Sequence, residues 1–411
     1  MNSFDTIIIG GGAAGVFAAI QLAEQKPKAR ILIVEKASNP LLKVKVSGGG
    51  RCNVTHECFD PQLMAQQYPR GSKWIKPLLF EFGPLQTIKW FREKGIELHA
   101  ESDGRMFPTT NQSQTIIDCF LNCLQQYDIR LNTSEAITQL EFDEQLALWK
   151  VTTTKNLLHT KTLLMASGGH PKVEGYQNLS KIGIAIVSPV PSLFTFNDPK
   201  NTLSDLMGLS VKLGKVKIAG TKIQATGPVL ITHWGISGPA VLKCSAIGAA
   251  LLAEKKYQFT AIINWVIDFD ENQMREDVES AQNQFPKTRV RNKALFQLPT
   301  RLWERLVDLA QIPVDFTWQQ MNEKTTSKLI NKLTAFELMV AGKTTYKEEF
   351  VTAGGIDLSE INAKTMESLK HTNIFFAGEI LNVDGITGGF NFQNAWTTGY
   401  FAAKGIAQKL K

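Results

Sequence analysis

The chain has 411 residues, of which 43% are apolar and 20% charged, and its 45 basic and 38 acidic side chains give a formal net charge of +7. That length supports two or three domains with ample cores, and the composition excludes a disordered or low-complexity chain. No apolar run is long enough to span a bilayer, and the basic excess contains no long Lys/Arg block, so a cytoplasmic chain with neither a membrane nor a nucleic-acid partner is expected.

Thr6-Ile7-Ile8-Ile9 reads as a buried parallel strand that runs straight into Gly10-Gly11-Gly12-Ala13-Ala14-Gly15. Asp5, the glycines and the lack of a basic leader make this stretch a core strand rather than a signal peptide. Gly10 allows the tight turn, Gly12 lets backbone approach a pyrophosphate, and Gly15 lets the next helix, about 13–25, pack close to the strand. That helix points its free amides and positive dipole end at the phosphates, with Ala13 and Ala14 in its first turn. Residues 31–34 form the next strand, and Glu35 at its end, 20 residues after Gly15, is placed to accept ribose hydroxyls and repel a 2′-phosphate. Lys36 beside it, and Ile137 further on, are grouped with the same nucleotide site.

Within residues 41–56, Gly48, Gly49 and Gly50 between Ser47 and Arg51 make a loop whose backbone can lie against a flat ligand, with Lys43, Ser47, Arg51 and Asn53 supplying donors nearby. Helices are expected over 73–94, interrupted near Gly83-Pro84, and over 112–127, with a surface turn at 101–108 between them. Strands follow at about 129–142 and 147–154, and residues 163–171 return the chain to the sheet. From about 191 to 266 the alternation of apolar and polar residues reads as an antiparallel, barrel-like unit, with an apolar helix near 239–253. Charged helices are expected at 271–284, 299–311 and 318–332, punctuated by Pro286, Pro299 and Pro313. Sheet-like sequence resumes at 336–341, 352–356 and 373–379.

The five cysteines, Cys52, Cys58, Cys119, Cys123 and Cys244, are odd in number and form no CxxC. Neither a disulfide framework nor a metal site is expected, and Cys52 is read as structural.

A buried strand at 374–377 delivers Gly378 and Glu379 to the ends of the sheet strands, and Asp384 follows in a glycine-spaced loop where it could bond ribityl hydroxyls. Gly388-Gly389-Phe390-Asn391 then opens the last helix, about 391–408, whose first amides would face the N1/O2 edge of a flavin and favour its reduced, negatively charged form. A phosphate cradle at one end of the chain and a ring cradle at the other imply FAD. No second strand–GxGxxG–helix is present, so NAD(P)H is expected only as a transient donor.

Together GGGAAG, residues 47–55, DGRMFP (103–108), HWGISGP (233–239), TAGG (352–355) and the closing motif resemble the BaiN-like, or aminoacetone oxidase, family of bacterial flavoproteins over essentially the whole chain. The resemblance implies an α/β, Rossmann-like, two-dinucleotide-binding FAD domain (1–190 and 345–411). Its insertion would hold a β-barrel-like domain (191–268 and 334–344) and a small helical domain (269–333). It also implies either reduction of a carbon–carbon double bond or oxidation of an amino ketone by oxygen. Two departures from the family pattern are His56 in place of the asparagine that closes RCNVTN, and ASGGHP in place of ATGG.

A small-molecule substrate is expected at the seam between FAD domain and insertion, with His233 and Trp234 as pocket residues and Arg51 or His170 as charge partners. The sequence names no catalytic acid or base and leaves the oligomeric state open. The leading expectation is an NAD(P)H-dependent reductase of an unsaturated or carbonyl compound. An oxygen-using amine oxidase, a flavin redox sensor and a flavin-dependent RNA-modifying enzyme are the alternatives.

Overall fold

The structure, a computed structural model, describes residues 3–344 and 351–410. They fall into two compact units: one comprises the chain up to Pro191 together with the segment after Thr345, and the other runs from Ser192 to Thr345.

In the first unit, four parallel strands stand in the order Arg130–Asn132, Ile31–Val34, Ser3–Ile9, Leu157–Met165. Residues 7–9, 31–34, 163–165 and 374–376 are all buried, as expected for strands covered on both faces. The strand Leu157–Met165 forks. Its first half pairs antiparallel with Leu148–Thr153 (Trp149 opposite Thr160), and its last residues pair parallel with Ile374–Phe376. Ile137–Asp143 pairs in turn with Leu148–Thr153. The single strand expected over 129–142 is therefore two, one on the parallel sheet and one on this antiparallel flap.

The opening helix, Ala13–Gln25, lies on the closing helix, Phe390–Lys409. Contact is close because Gly399 has no side chain: a Cβ there would stand 3.0 Å from the Ala14 carbonyl oxygen. An aromatic cluster holds the two helices to those around them, with Phe17 4.9 Å from Trp90 and 5.5 Å from Trp396 between ring centroids.

The expected surface turn at 101–108 is a turn only in its first half. Arg105–Pro108 is a strand paired with Leu98–Ala100 and Thr55–His56, and Met106, Phe107 and Pro108 are buried. The expected glycine loop follows a short helix that starts at Leu42 and breaks where Ser47 turns extended and Gly48 and Gly49 turn left-handed.

The second unit is built on a seven-stranded sheet ordered 336–341, 258–264, 210–218, 224–232, 235–237, 195–197, 343–344. Its two edge strands are separated only by Gly342. The Gly342 N–H donates to the Tyr257 carbonyl and its own carbonyl accepts from the Asn197 N–H, so the sheet curls into a barrel-like form. Helix Pro239–Ile247 and helices Glu271–Gln284, Thr300–Leu309 and Glu323–Thr334 share one apolar core with this sheet, around Trp265, Trp303 and Trp318. The expected helix over 239–253 is broken at Gly248, and Asn322 caps the last helix by accepting from the Thr325 N–H.

Candidate flavin site

The first glycine turn follows from packing. Gly10 has φ +112, and a Cβ on Gly15 would stand 2.0 Å from the Gly10 carbonyl oxygen, so neither position takes a larger residue without a shift. Gly12 differs. A Cβ there would meet nothing within 4 Å, and no described side chain caps the helix it begins. The first-turn amides of Ala13, Ala14 and Gly15 thus face open space, the arrangement that receives a phosphate.

Glu35 holds this turn. Its carboxylate accepts from the Gly11 N–H at 2.6 Å and from the Ala37 N–H at 2.7 Å. An ionised carboxylate has about four acceptor positions, so room remains for ribose hydroxyls. Beside it lies a cavity of about 450 Å³ lined by Gly10, Glu35, Lys36, Ile137, Met165 and His170, a volume in the range of small-molecule sites.

Among the residues of this wall that sequence reasoning missed are Glu135 and Tyr176. Glu135 is 1% exposed. Burial pushes its carboxyl up, but donors on Thr153, Asn156 and Asn132 outweigh burial and hold it below the usual carboxylate range. A buried acid between two strands has no sequence signature. The Tyr176 hydroxyl accepts from the His170 N–H at 3.2 Å, and the His170 ring lies 3.3 Å from the Ser167 hydroxyl. Desolvation, then the positive charge of Lys36, brings the His170 pKa down to about 4, so the imidazole is neutral at physiological pH. His170 is therefore a neutral wall residue rather than a positive charge partner.

In the second glycine stretch, Gly49 and Gly50 are left-handed, and a Cβ on either would meet nothing within 4 Å, whereas one on Gly48 would press on the Phe107 ring at 2.8 Å. The stretch therefore presents bare backbone on one side and is anchored on the other. Arg51 lies over the Phe107 ring at 4.0 Å and pairs with Glu101 at 2.5 Å. The Ser47 hydroxyl donates to the Val44 carbonyl. Cys52 is buried, which pushes its thiol up to about 12 and suits a structural role.

The closing motif meets both. A Cβ on Gly378 would stand 2.7 Å from that of Ala14, and Glu379 pairs with Lys43 at 2.5 Å while accepting from the Thr352 N–H. The Asn53 amide accepts from the Gly389 N–H and donates to the Thr55 carbonyl, each at 2.9 Å, which ties the Gly48–Gly50 stretch to the start of the last helix. Gly388 and Gly389 have φ +130 and +91, Phe390 stacks on His56 at 4.8 Å, and Asn391 closes the loop by bonding both backbone groups of Gly385. Asp384 is fully buried and held by both Nε and Nη2 of Arg70, a partner 314 residues away that no motif signals. The two sequence departures are accommodated here: His56 packs on Phe390 and donates to the Asp103 carbonyl, and Ser167 and His170 bond each other.

The expected cofactor residues all lie in the first unit, but Asp384, expected to bond ribityl hydroxyls, is fully buried with both carboxylate oxygens taken by Arg70. His233 and Trp234 lie in the second unit, at the turn before strand Gly235–Ser237, where His233 Nδ1 meets the Met207 sulfur at 2.9 Å. A phosphate cradle, an acid at the second strand end, an adenosine-sized cavity and a glycine-lined ring cradle fit FAD. The fold and site define an FAD-dependent oxidoreductase. The chain belongs to the HI0933-like family, whose Rossmann-domain model matches residues 4–405, in agreement with the BaiN-like resemblance.

A ribosomal RNA dihydrouridine synthase of Escherichia coli is 30% identical, over 99% of this chain and 98% of its own. A 3-dehydro-bile acid delta(4,6)-reductase of Clostridium scindens is 25% identical over 98% of each chain. Among solved structures, a 3-ketosteroid delta1-dehydrogenase of Sterolibacterium denitrificans covers all of both chains with a TM-score of 0.52 at 12% identity, a likeness of fold alone. Among the described residues, no helix is long and apolar enough to cross a membrane and no cluster of three or more metal-ligating side chains occurs.

Proposed function

We propose that this flavoprotein reduces a carbon–carbon double bond conjugated to a carbonyl, with NADPH or NADH as hydride source, and that its substrate is a uracil base of ribosomal RNA. The observation that carries the reading is the chemistry common to the two relatives that match the chain end to end. Dihydrouridine arises by adding two hydrogens across C5=C6 of uracil, a bond conjugated to the C4 carbonyl. A delta(4,6)-reductase of a 3-dehydro bile acid works on a bond conjugated to a ketone. The balance is uracil, NAD(P)H and a proton giving dihydrouracil and NAD(P)⁺.

RNA is favoured over a steroid by the higher identity and by the placement of charge. Between residues 200 and 256 the chain carries eight lysines and two carboxylates, so six of its seven net positive charges lie there. This departs from the expectation of a small-molecule partner, because composition gives the amount of charge and not its location.

FAD, when bound, supplies the hydride chemistry. The chain's own residues would hold it: first-turn amides after Gly12 at the pyrophosphate, Glu35 at the ribose, and the backbone of Gly48–Gly50 and Gly388–Phe390 at the ring.

The test is anaerobic stopped-flow reduction by NADH and by NADPH. The reduced protein is then mixed with unmodified ribosomal RNA transcript, free uridine or a 3-oxo-Δ4,6 steroid acid. The expected result is bleaching by one nucleotide, reoxidation by RNA, and dihydrouridine in the digested transcript. Bleaching by neither nucleotide, with peroxide released from amines in air, would make the protein an oxidase and sink the reading. Reoxidation by the steroid and not by RNA would remove RNA as substrate.

A further inference from the structure

In the second unit, strands Ser210–Ile218 and Gln224–Thr232 form a hairpin whose inward side chains, Val211, Val216, Ile218, Val229 and Ile231, belong to the buried core. The alternation of a half-buried sheet sends Lys215 and Lys217 to the other face, about 7 Å apart. The register shift between Val211 and Gly214 leaves Lys212 outward as well, and Lys222 sits in the connecting turn. Lys212, Lys217 and Lys222 are exposed and Lys215 half-exposed. Among the described residues none of the four enters an ion pair.

Elsewhere in this unit most arginines are paired, whereas among the described residues its other lysines, Lys243 and Lys324 among them, enter no ion pair, so what sets this face apart is the closeness of its four lysines. Asp205 is taken by Arg305 and by the Arg301 bond to its carbonyl, while Arg275 and Arg291 each hold two carboxylates. Glu337, acidic and on the same sheet face, stands two strands from Lys217, across Ile262. Opposite Lys215 and Lys217 stand Thr226 and Gln224.

We propose that this lysine-bearing face, from Lys212 to Lys222 with Gln224 and Thr226, docks the sugar–phosphate backbone of RNA. The proposal rests on the RNA reading above. A row of lysines with no carboxylate to neutralise it is complementary to a polyanion. Thr and Gln side chains between lysines are the groups that bond phosphate and sugar without reading bases. The face carries no aromatic side chain at its lysine positions, so it positions RNA while sequence is read elsewhere. Thr226 and Gln224 beside the lysines suit a phosphate backbone; Leu213 and Leu230 are exposed apolar side chains of the same hairpin, and the vesicle arm of the test below weighs them.

The experiment measures binding of full-length, FAD-loaded protein to ribosomal RNA transcript across a salt series, beside anionic phospholipid vesicles. The Lys215→Gln/Lys217→Gln/Lys222→Gln variant should weaken RNA binding roughly 50-fold at about 0.15 M salt and lower the salt slope by about 2, from ~0.7 per lysine for single strands. It should still be bleached by the nucleotide donor at the wild-type rate. Lys324→Gln/Lys328→Gln/Lys332→Gln, an equal charge change on the helix Glu323–Thr334, should do much less. Equal losses in the two variants, or RNA binding unchanged in the first, would overturn the docking face. So would loss confined to vesicles, which would make the face a membrane contact. The dihydrouridine assay is separate. Wild-type binding through this face with no dihydrouridine formed would refute the substrate reading and leave the face standing. Dihydrouridine formed normally by the first variant, with binding unchanged, would do the reverse.

Discussion

Glu35→Ala separates two roles that one carboxylate serves. The side chain accepts from Gly11 at 2.6 Å and Ala37 at 2.7 Å, so it organises the phosphate turn whether or not a nucleotide is bound. Hydrogen bonds to a charged group contribute about 1.5–3 kcal/mol each, but both amides here are only partly buried and water replaces part of the loss. A destabilisation of about 2–4 kcal/mol follows for the flavin-free protein. For a unit of more than 200 residues, 1 kcal/mol shifts Tm by about 2 °C, so the flavin-stripped variant should melt about 4–8 °C lower. Loss of the ribose contacts adds a second effect, FAD binding weaker by at least about tenfold, read by titration of the stripped protein. Glu35→Gln keeps one acceptor oxygen and should fall between. Equal melting of the stripped wild type and Glu35→Ala would refute the structural role and leave Glu35 a ribose ligand only. Unchanged FAD affinity would refute the ribose role.

Gly12→Ala should leave the stripped protein as stable as wild type, since its Cβ meets nothing and its φ of −87° suits alanine, yet yield protein depleted of FAD. Gly15→Ala should instead destabilise the stripped protein by about 1–3 kcal/mol through the clash with the Gly10 carbonyl, and urea unfolding of both variants checks the contrast. Asp384→Asn breaks a buried pair whose arginine is 19% exposed. The cost should be near the low end of the 3–5 kcal/mol range for such pairs, and a loss under about 1 kcal/mol would show that the pair holds nothing. His170 has a folded pKa of about 4, below the 6.5 of an unperturbed histidine, so the unfolded chain binds more protons between these values. Its contribution should therefore rise as pH climbs through that window and be complete above it. Urea midpoints from pH 4 to 7 should flatten in His170→Gln, and an unchanged profile would place the titration elsewhere.

The parts of this protein legible from sequence were those in which local chain and function coincide. Gly10–Gly15 with Glu35, and Gly388–Asn391 before the last helix, are contiguous motifs whose spacing the chemistry dictates, and the structure sets them on adjoining helices. What stayed hidden depends on distance. Arg70 and Asp384 meet across 314 residues, and Glu135 is a wall residue because Thr153 and Asn156 return to it from the next strand. The central strand Leu157–Met165 showed only its apolar end, because Thr160 and Thr162 in its first half look like loop. Both are buried, with their hydroxyls bonded to the Thr162 carbonyl and to Thr6. Charge behaves the same way. A net +7 is unremarkable as a total; six of those charges lie between residues 200 and 256, and they acquire a direction when strand alternation puts Lys215 and Lys217 on one face and sends Val216 inward. A bulk property that looks neutral in the sequence becomes a directional field once a sheet sorts it, and for a polyanionic substrate that field decides where the molecule is met.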